Sequence, residues 1–210
     1  ITAAMREGTG LVPYAKEFPS RYYDVGIAEG HGVTFAAGLA TQKVRPIVAI
    51  YSTFLQRAYD HIIHDAAIQH LPVVFCMDRA GIAGEDGPTH HGALDIAYLK
   101  CVQDLIVTAP KDGNELRHLL YTALDYGNGP YSIRYPKASS VNFDSKGQAE
   151  LLPIGSWEVC RKSNGSTVIL AVGPQVFDAI NAAENLSDNG IECEVVNCRF
   201  IKPMDIDYLS

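Results

Sequence analysis

The stretch Asp78-Arg-Ala-Gly-Ile-Ala-Gly-Glu-Asp-Gly-Pro-Thr-His-His-Gly92 carries more groups able to ionise than a connecting loop needs. Arg79, Glu85, Asp86, His90 and His91 stand among glycines, which let a backbone approach a ligand closely. A second such place is Asp24-Val-Gly-Ile-Ala-Glu-Gly-His, which opens a run rich in Ala and Gly and puts Glu29 in the first turn of a packed helix. A carboxylate is rarely buried without a partner, because desolvation penalises its charge. Either Glu29 hydrogen-bonds a ligand there, or it complements the helix dipole at a partly wet end. Arg79 and Arg134 each follow a strand-like run, and beside Tyr51 they suit a phosphate or carboxylate held in a bidentate fork. The alternative is that each Arg pairs with a carboxylate such as Asp86.

Asp60/His64 and His61/Asp65 are both i,i+4 pairs on one helical segment. No Glu supplies an H-E-x-x-H pattern, so ion pairs are expected there rather than a metal site. None of the five cysteines forms a C-x-x-C spacing, and three lie in apolar strand-like runs. Reduced, buried thiols and a cytoplasm-like compartment are the expectation.

These groups need elements to position them. A helix is predicted over 28–42, after a short strand at Tyr22–Asp24 and at most a short helix within 2–20. Pro46–Tyr51 and Pro72–Met77 are continuous apolar runs, as in strands covered on both faces. Between them, Leu55, Tyr59, Ile62, Ile63, Ala66 and Ala67 recur at helical spacing over 53–69. A short helix at Leu94–Leu99 and a strand at Leu105–Thr108 follow the loop. Asp112 then stands in the cap position of a helix reaching about Asp125, and Tyr131–Tyr135 is a fourth strand. Alternating strands and helices predict an α/β fold with a parallel sheet, whose ligands sit outside the carboxyl ends of the strands. Residues 137–152 are polar and read as a linker. Beyond it, strands at 155–161, 167–172 and 192–197 and a helix at 174–187 begin a second α/β domain.

At 210 residues, 47% hydrophobic and 20% charged, the chain has an ordinary globular composition. A net charge of −7 argues against nucleic acid as a partner. No apolar run has membrane-spanning length, and no membrane role is expected. The start at Ile1 and the stop at Ser210 suggest a fragment of a longer protein.

Four stretches together resemble the 1-deoxy-D-xylulose-5-phosphate synthase family, within the transketolase-like, thiamine-diphosphate-dependent enzymes. They are Val25–His31, Ile50–Asp60, the Asp78–Gly92 loop and Asn197-Cys-Arg-Phe-Ile-Lys-Pro-Met-Asp205. The resemblance implies a pyrimidine-binding domain over 1–136, a linker over 137–152 and a truncated transketolase C-terminal domain over 153–210. It implies thiamine diphosphate and Mg2+ as cofactors, with the metal and diphosphate site in an upstream domain and no metal site in this chain. Gly84-Glu-Asp-Gly87 followed by Asn114 only approximates the family's G-D-G…N motif and is rejected, since Glu85 interrupts it and Asn114 opens a helix.

By the same resemblance Glu29 would hydrogen-bond N1′ of the aminopyrimidine and favour its imino tautomer. Phe54 would stack on that ring, with Arg57 as a neighbour in the cofactor site. Tyr51, Arg79 and Arg134 would hold the phosphate of glyceraldehyde 3-phosphate. Asp86 and His90 would contact the acceptor and assist proton transfer. Gly30 departs from the Gln more usual after the Glu. The reaction implied is decarboxylation of pyruvate and transfer of its two-carbon remnant to glyceraldehyde 3-phosphate, the first step of the non-mevalonate isoprenoid pathway, by a cytoplasmic homodimer. This fragment alone is expected to be inactive. The alternatives are a transketolase, an oxo-acid dehydrogenase β subunit, or a non-catalytic interaction domain of the same fold.

Overall fold

The computed structural model describes residues 1–141 and 143–210. In chain order it contains α1 (Val12–Glu17), α2 (Glu29–Thr41), β1 (Ile47–Ala49), α3 (Ser52–Leu55), α4 (Tyr59–His61), β2 (Val74–Met77) and α5 (Asp95–Lys100). There follow β3 (Ile106–Thr108), α6 (Gly113–Tyr126), β4 (Tyr131–Arg134), β5 (Glu158–Arg161), β6 (Thr167–Ala171), α7 (Gln175–Ser187), β7 (Cys193–Asn197), β8 (Phe200–Lys202) and α8 (Ile206–Leu209). The chain forms two compact units that interleave in sequence. One comprises residues 1–105 and 123–138, the other 106–122 and 139–210.

In the first unit β2 lies between β1 and β4, and all three run parallel, with Ile47 opposite Val74 and Val74 opposite Tyr131. Every residue of β2 is buried, which explains its uninterrupted apolar sequence. The helix predicted over 28–42 forms as α2, burying Gly32, Val33, Ala36, Ala37 and Ala40 on one stripe. Small side chains let this helix approach its neighbours closely.

The helix expected over 53–69 is less regular. A 3-10 turn at Gln56–Ala58 separates α3 from α4, and α4 widens into a π-helix at Ile62–Ala67. Leu55, Ala58, Ile62 and Ala66 nevertheless stay buried, so tertiary packing preserved the apolar face while the helical pitch changed. The predicted strand at Tyr22–Asp24 reduces to one bridge between Asp24 and Thr2. The reason is local: the Asp24 carboxylate accepts the backbone N–H groups of Ala4 (2.8 Å) and Gly26 (3.0 Å), making a turn instead of a ladder.

In the second unit β7 pairs parallel with β6 and antiparallel with β5, while β3 pairs antiparallel with β8. The strand β8 went unread because it is only three residues long and stands before Pro203. Ala183, Cys193 and Val195 form a core between α7 and its strands, with Ile169 and Ile180 packed against it. Asp112 caps α6 as expected, accepting the N–H of Glu115 at 2.8 Å. The Asn197–Asp205 stretch ties this unit together. Asn197 donates to the buried Glu115 at 2.8 Å, Arg199 lies 3.7 Å from the same carboxylate, and Asp205 accepts the N–H groups of Trp157 and Tyr208. The polar segment read as a linker is anchored by side chains: Arg117 donates to the Gly147 carbonyl and Thr122 accepts the Leu152 N–H. Among the described residues no helix is long and apolar enough to cross a membrane.

Candidate functional site

The site is built on the ends of β1 and β2 and the start of α2. Glu29 is the first residue of α2 and is only 3% exposed. Its Oε1 accepts a hydrogen bond from Arg57 Nη1 at 2.7 Å, so the buried carboxylate is compensated from the 3-10 turn after α3. The same guanidinium lies 5.3 Å from the centroid of the Phe54 ring. Phe54 in turn stacks on Tyr51 at 5.4 Å and meets His90 edge-on at 5.3 Å. Glu29, Arg57, Phe54, Tyr51 and His90 thus form one continuous cluster.

Tyr51 is buried at the end of β1, and its outer face is covered by Arg79, whose guanidinium carbon sits 3.8 Å from the ring centroid. Burial raises the Tyr51 hydroxyl above its ordinary value, although the Arg79 charge opposes the shift. Arg79 adopts a left-handed backbone (φ 58°), unusual for a residue other than glycine. Asp78 holds it there, accepting the Arg79 backbone N–H at 2.6 Å and its Nη1 at 2.5 Å. Arg79 also donates to the Gly8 carbonyl (3.1 Å) and, through Nε, to Asp86 (3.0 Å). The other Asp86 oxygen accepts from Lys137 Nζ at 2.7 Å. Asp86 is therefore held below the usual carboxylate range, by Lys137 first and Arg79 second, whereas burial pushes Asp78 up despite Arg79.

Arg134, at the end of β4, is joined to none of these groups directly. Its Nε donates to the buried Asp95 at 2.9 Å. Both arginines thus have carboxylate partners within the fold, the arrangement set out above as the alternative to ligand binding. The loop closes on itself at Gly92, which exchanges backbone hydrogen bonds with Gly81 and where a Cβ would lie 2.3 Å from Ser52 Oγ and 2.5 Å from the Arg79 carbonyl.

Of the two i,i+4 pairs, Asp60 and His64 meet at 2.9 Å, but His61 and Asp65 do not pair. Asp65 accepts from Thr34 instead, and the His61 ring packs on Gly30, where a Cβ would stand 2.7 Å from it. The absence of a side chain at residue 30 is therefore filled from the opposite helix. Sequence reasoning missed Asp95 and Lys137, and it assigned no role to Asp78 or Ser52 although both lie in stretches it singled out. Asp95 had a legible signal, since it heads an apolar helix as Glu29 does; the partners of the other three show only in the folded geometry.

Residues 1–141 match the family described as "Transketolase, pyrimidine binding domain", and residues 155–210 match "Transketolase, C-terminal domain". The chain belongs to the transketolase family. Among solved structures, this transketolase-family chain is similar to a protein titled "Split gene transketolase, inactive beta4 tetramer", with a TM-score of 0.85 at 26% identity, covering 100% of this chain and 67% of that one. Among curated relatives it is 57% identical over 205 residues to the 1-deoxy-D-xylulose-5-phosphate synthase of Thermomicrobium roseum, and 55% identical to that of Aquifex aeolicus. In both cases the match covers 98% of this chain and 32% of the relative, so the chain spans about a third of the length of these proteins.

Proposed function

We propose that this chain is the pyrimidine-binding and C-terminal part of a synthase that condenses pyruvate, with loss of carbon dioxide, and glyceraldehyde 3-phosphate into 1-deoxy-D-xylulose 5-phosphate. The observation that carries the reading is Glu29, a buried carboxylate joined through Arg57 to the aromatic face of Phe54. A carboxylate and a ring face so coupled fit an aminopyrimidine, which offers a ring nitrogen to one and a flat π-surface to the other. Thiamine diphosphate, when bound with Mg2+, would supply the electron sink that stabilises the negative charge left by decarboxylation. Glu29 holds or shares a proton at the ring nitrogen, Phe54 fixes the ring plane, and Arg57 keeps the carboxylate oriented. Tyr51, Arg79 and Arg134 grip the acceptor's phosphate, and Asp86 and His90 handle protons at its polar groups.

The identity to named synthases over nearly the whole chain favours this reaction over that of a transketolase or an oxo-acid dehydrogenase β subunit. The functional division follows as 1–136, 137–152 and 153–210, in a cytoplasmic homodimer whose remaining domain holds the metal and diphosphate. The test is pyruvate decarboxylation with glyceraldehyde 3-phosphate by the full-length protein, wild type against Glu29→Gln. Loss of activity by a factor on the order of 100 or more with the fold intact is expected. Activity within a few fold of wild type would reduce Glu29 to a helix-end carboxylate and remove the basis of the site.

A further inference from the structure

Gly8 lies in a turn that closes on itself ahead of α1. The Met5 carbonyl accepts both the N–H and the hydroxyl of Thr9, at 2.9 and 2.8 Å, and the Arg6 carbonyl accepts the Leu11 N–H at 3.0 Å. The φ of Gly8 is outside the left-handed region, so backbone conformation does not demand glycine there. Space does. A Cβ at residue 8 would stand 1.7 Å from the Tyr51 hydroxyl oxygen and 2.9 Å from Cζ of the same ring. That ring has little room to retreat, being 2% exposed, stacked on Phe54 at 5.4 Å and covered by the Arg79 guanidinium at 3.8 Å. The Gly8 carbonyl meanwhile accepts from Arg79 Nη1 at 3.1 Å. Gly8 therefore meets Tyr51 through the side chain it lacks and Arg79 through its peptide oxygen.

These contacts apportion the five N–H groups of the Arg79 fork. Nε donates to Asp86, and Nη1 donates to Asp78 and to Gly8. Among the described residues, neither Nη2 nor the Tyr51 hydroxyl makes a hydrogen bond. We propose that Gly8 is the positioning residue for Tyr51 and Arg79, admitting the hydroxyl and completing the partners of Nη1 so that the hydroxyl and Nη2 remain for a phosphate. This rests on the reading of Tyr51 and Arg79 as phosphate-binding groups. Donors grip an anion well only when packing and hydrogen bonds already hold them in place, and a displacement of about 1 Å can cost much of the gain. An alanine at residue 8 imposes such a displacement, because the hydroxyl it meets is the fixed end of a buried ring.

The test uses the full-length protein as wild type, Gly8→Ala, Tyr51→Phe and the double variant, in steady-state kinetics with glyceraldehyde 3-phosphate and with unphosphorylated glyceraldehyde. Gly8→Ala is expected to raise KM for the phosphorylated acceptor about tenfold and leave kcat within about threefold, with no such change for glyceraldehyde. In the Tyr51→Phe background, where the hydroxyl is gone, the same substitution should change KM by no more than about threefold. A folded Gly8→Ala protein with KM closer than about threefold to wild type overturns the proposal. So does an equal loss for both acceptors, which a merely structural role would give, and so does a loss that persists undiminished in the Tyr51→Phe background. If Gly8→Ala fails to fold, the double variant decides: a folded double variant supports the assignment, since the clash is then with the hydroxyl, and an unfolded one defeats it. A wild type that turns over neither acceptor would refute the synthase reading. Calorimetric titration of wild type and Gly8→Ala with inorganic phosphate would then still decide Gly8, weaker binding by the variant supporting it and equal or absent binding defeating it.

Discussion

Arg57 Nη1 donates to Glu29 Oε1 at 2.7 Å, and the two side chains differ sharply in exposure, 58% for the arginine and 4% for the glutamate. The pair is therefore asymmetric: deleting the cation leaves a carboxylate stranded in the interior, while neutralising the carboxylate leaves a guanidinium free to hydrate. Arg57→Ala is expected to cost about 1 to 3 kcal/mol of stability, the penalty for an unsatisfied buried acceptor, and Glu29→Gln less. Urea unfolding of both variants measures this directly. A larger cost for Glu29→Gln would mean that Glu29 has a stronger native partner than Arg57.

Gly30 and His61 share one space. An alanine at residue 30 would meet the imidazole at 2.7 Å, although Ala is intrinsically worth about 1 kcal/mol more than Gly inside a helix. Gly30→Ala is expected to destabilise the fold by about 1 to 2 kcal/mol, the usual range for overpacking, and His61→Ala to restore most of that loss in the double variant. A double-mutant cycle from thermal melts gives the coupling. Additive effects would show that the ring yields without cost.

Asp78 and Asp86 flank one guanidinium but shift in opposite directions, Asp78 upward by burial and Asp86 downward through Lys137 and Arg79. As pH falls, Asp78 is therefore expected to take up its proton before Asp86. A lowered carboxyl stabilises the fold above its unfolded-state value, about pH 4, and that contribution disappears as pH falls through the lower, folded-state value. For a raised carboxyl the sign reverses, so the ionised Asp78 detracts from stability at neutral pH. Carboxyl carbon chemical shifts followed through an acid titration would give the order, and Lys137→Ala should move Asp86 upward. Protonation of Asp86 first would contradict the pairing.

The cysteines are expected to separate by reactivity. Cys101 is exposed, whereas Cys76 and Cys193 are buried, and burial pushes the Cys76 thiol to about 12. At pH 8 about one Cys76 thiol in ten thousand would be thiolate, the reactive form, even before access is considered. Timed labelling with a thiol reagent, read by mass spectrometry, should mark Cys101 in the native protein and Cys76 and Cys193 only on unfolding. Rapid labelling of Cys76 would require opening of β2, which lies between β1 and β4.

Much of this protein follows from local patterns. The apolar run at 72–77 reads as a strand covered on both faces, and the run of small residues after Glu29 as a closely packed helix. Asp112 announced its own helix through cap chemistry. The crowding of charge between Asp78 and Gly92 marked the loop that carries Arg79, Asp86 and His90. These signals are legible because propensity, periodicity and capping act over a few neighbouring residues.

What the tertiary structure decided is which charges meet. Nothing in the spacing of residues 29 and 57, or of 95 and 134, predicts an ion pair, because those partners are joined by the crossing of elements distant in sequence. The same holds for the antiparallel pairing of β3 with β8 and for the helical irregularity at 56–67, where burial of Leu55, Ala58, Ile62 and Ala66 overrode a regular pitch. Sequence determined the elements and the kinds of chemistry available; folding alone chose the partners, since a buried carboxylate takes whichever cation the packed backbone brings within reach.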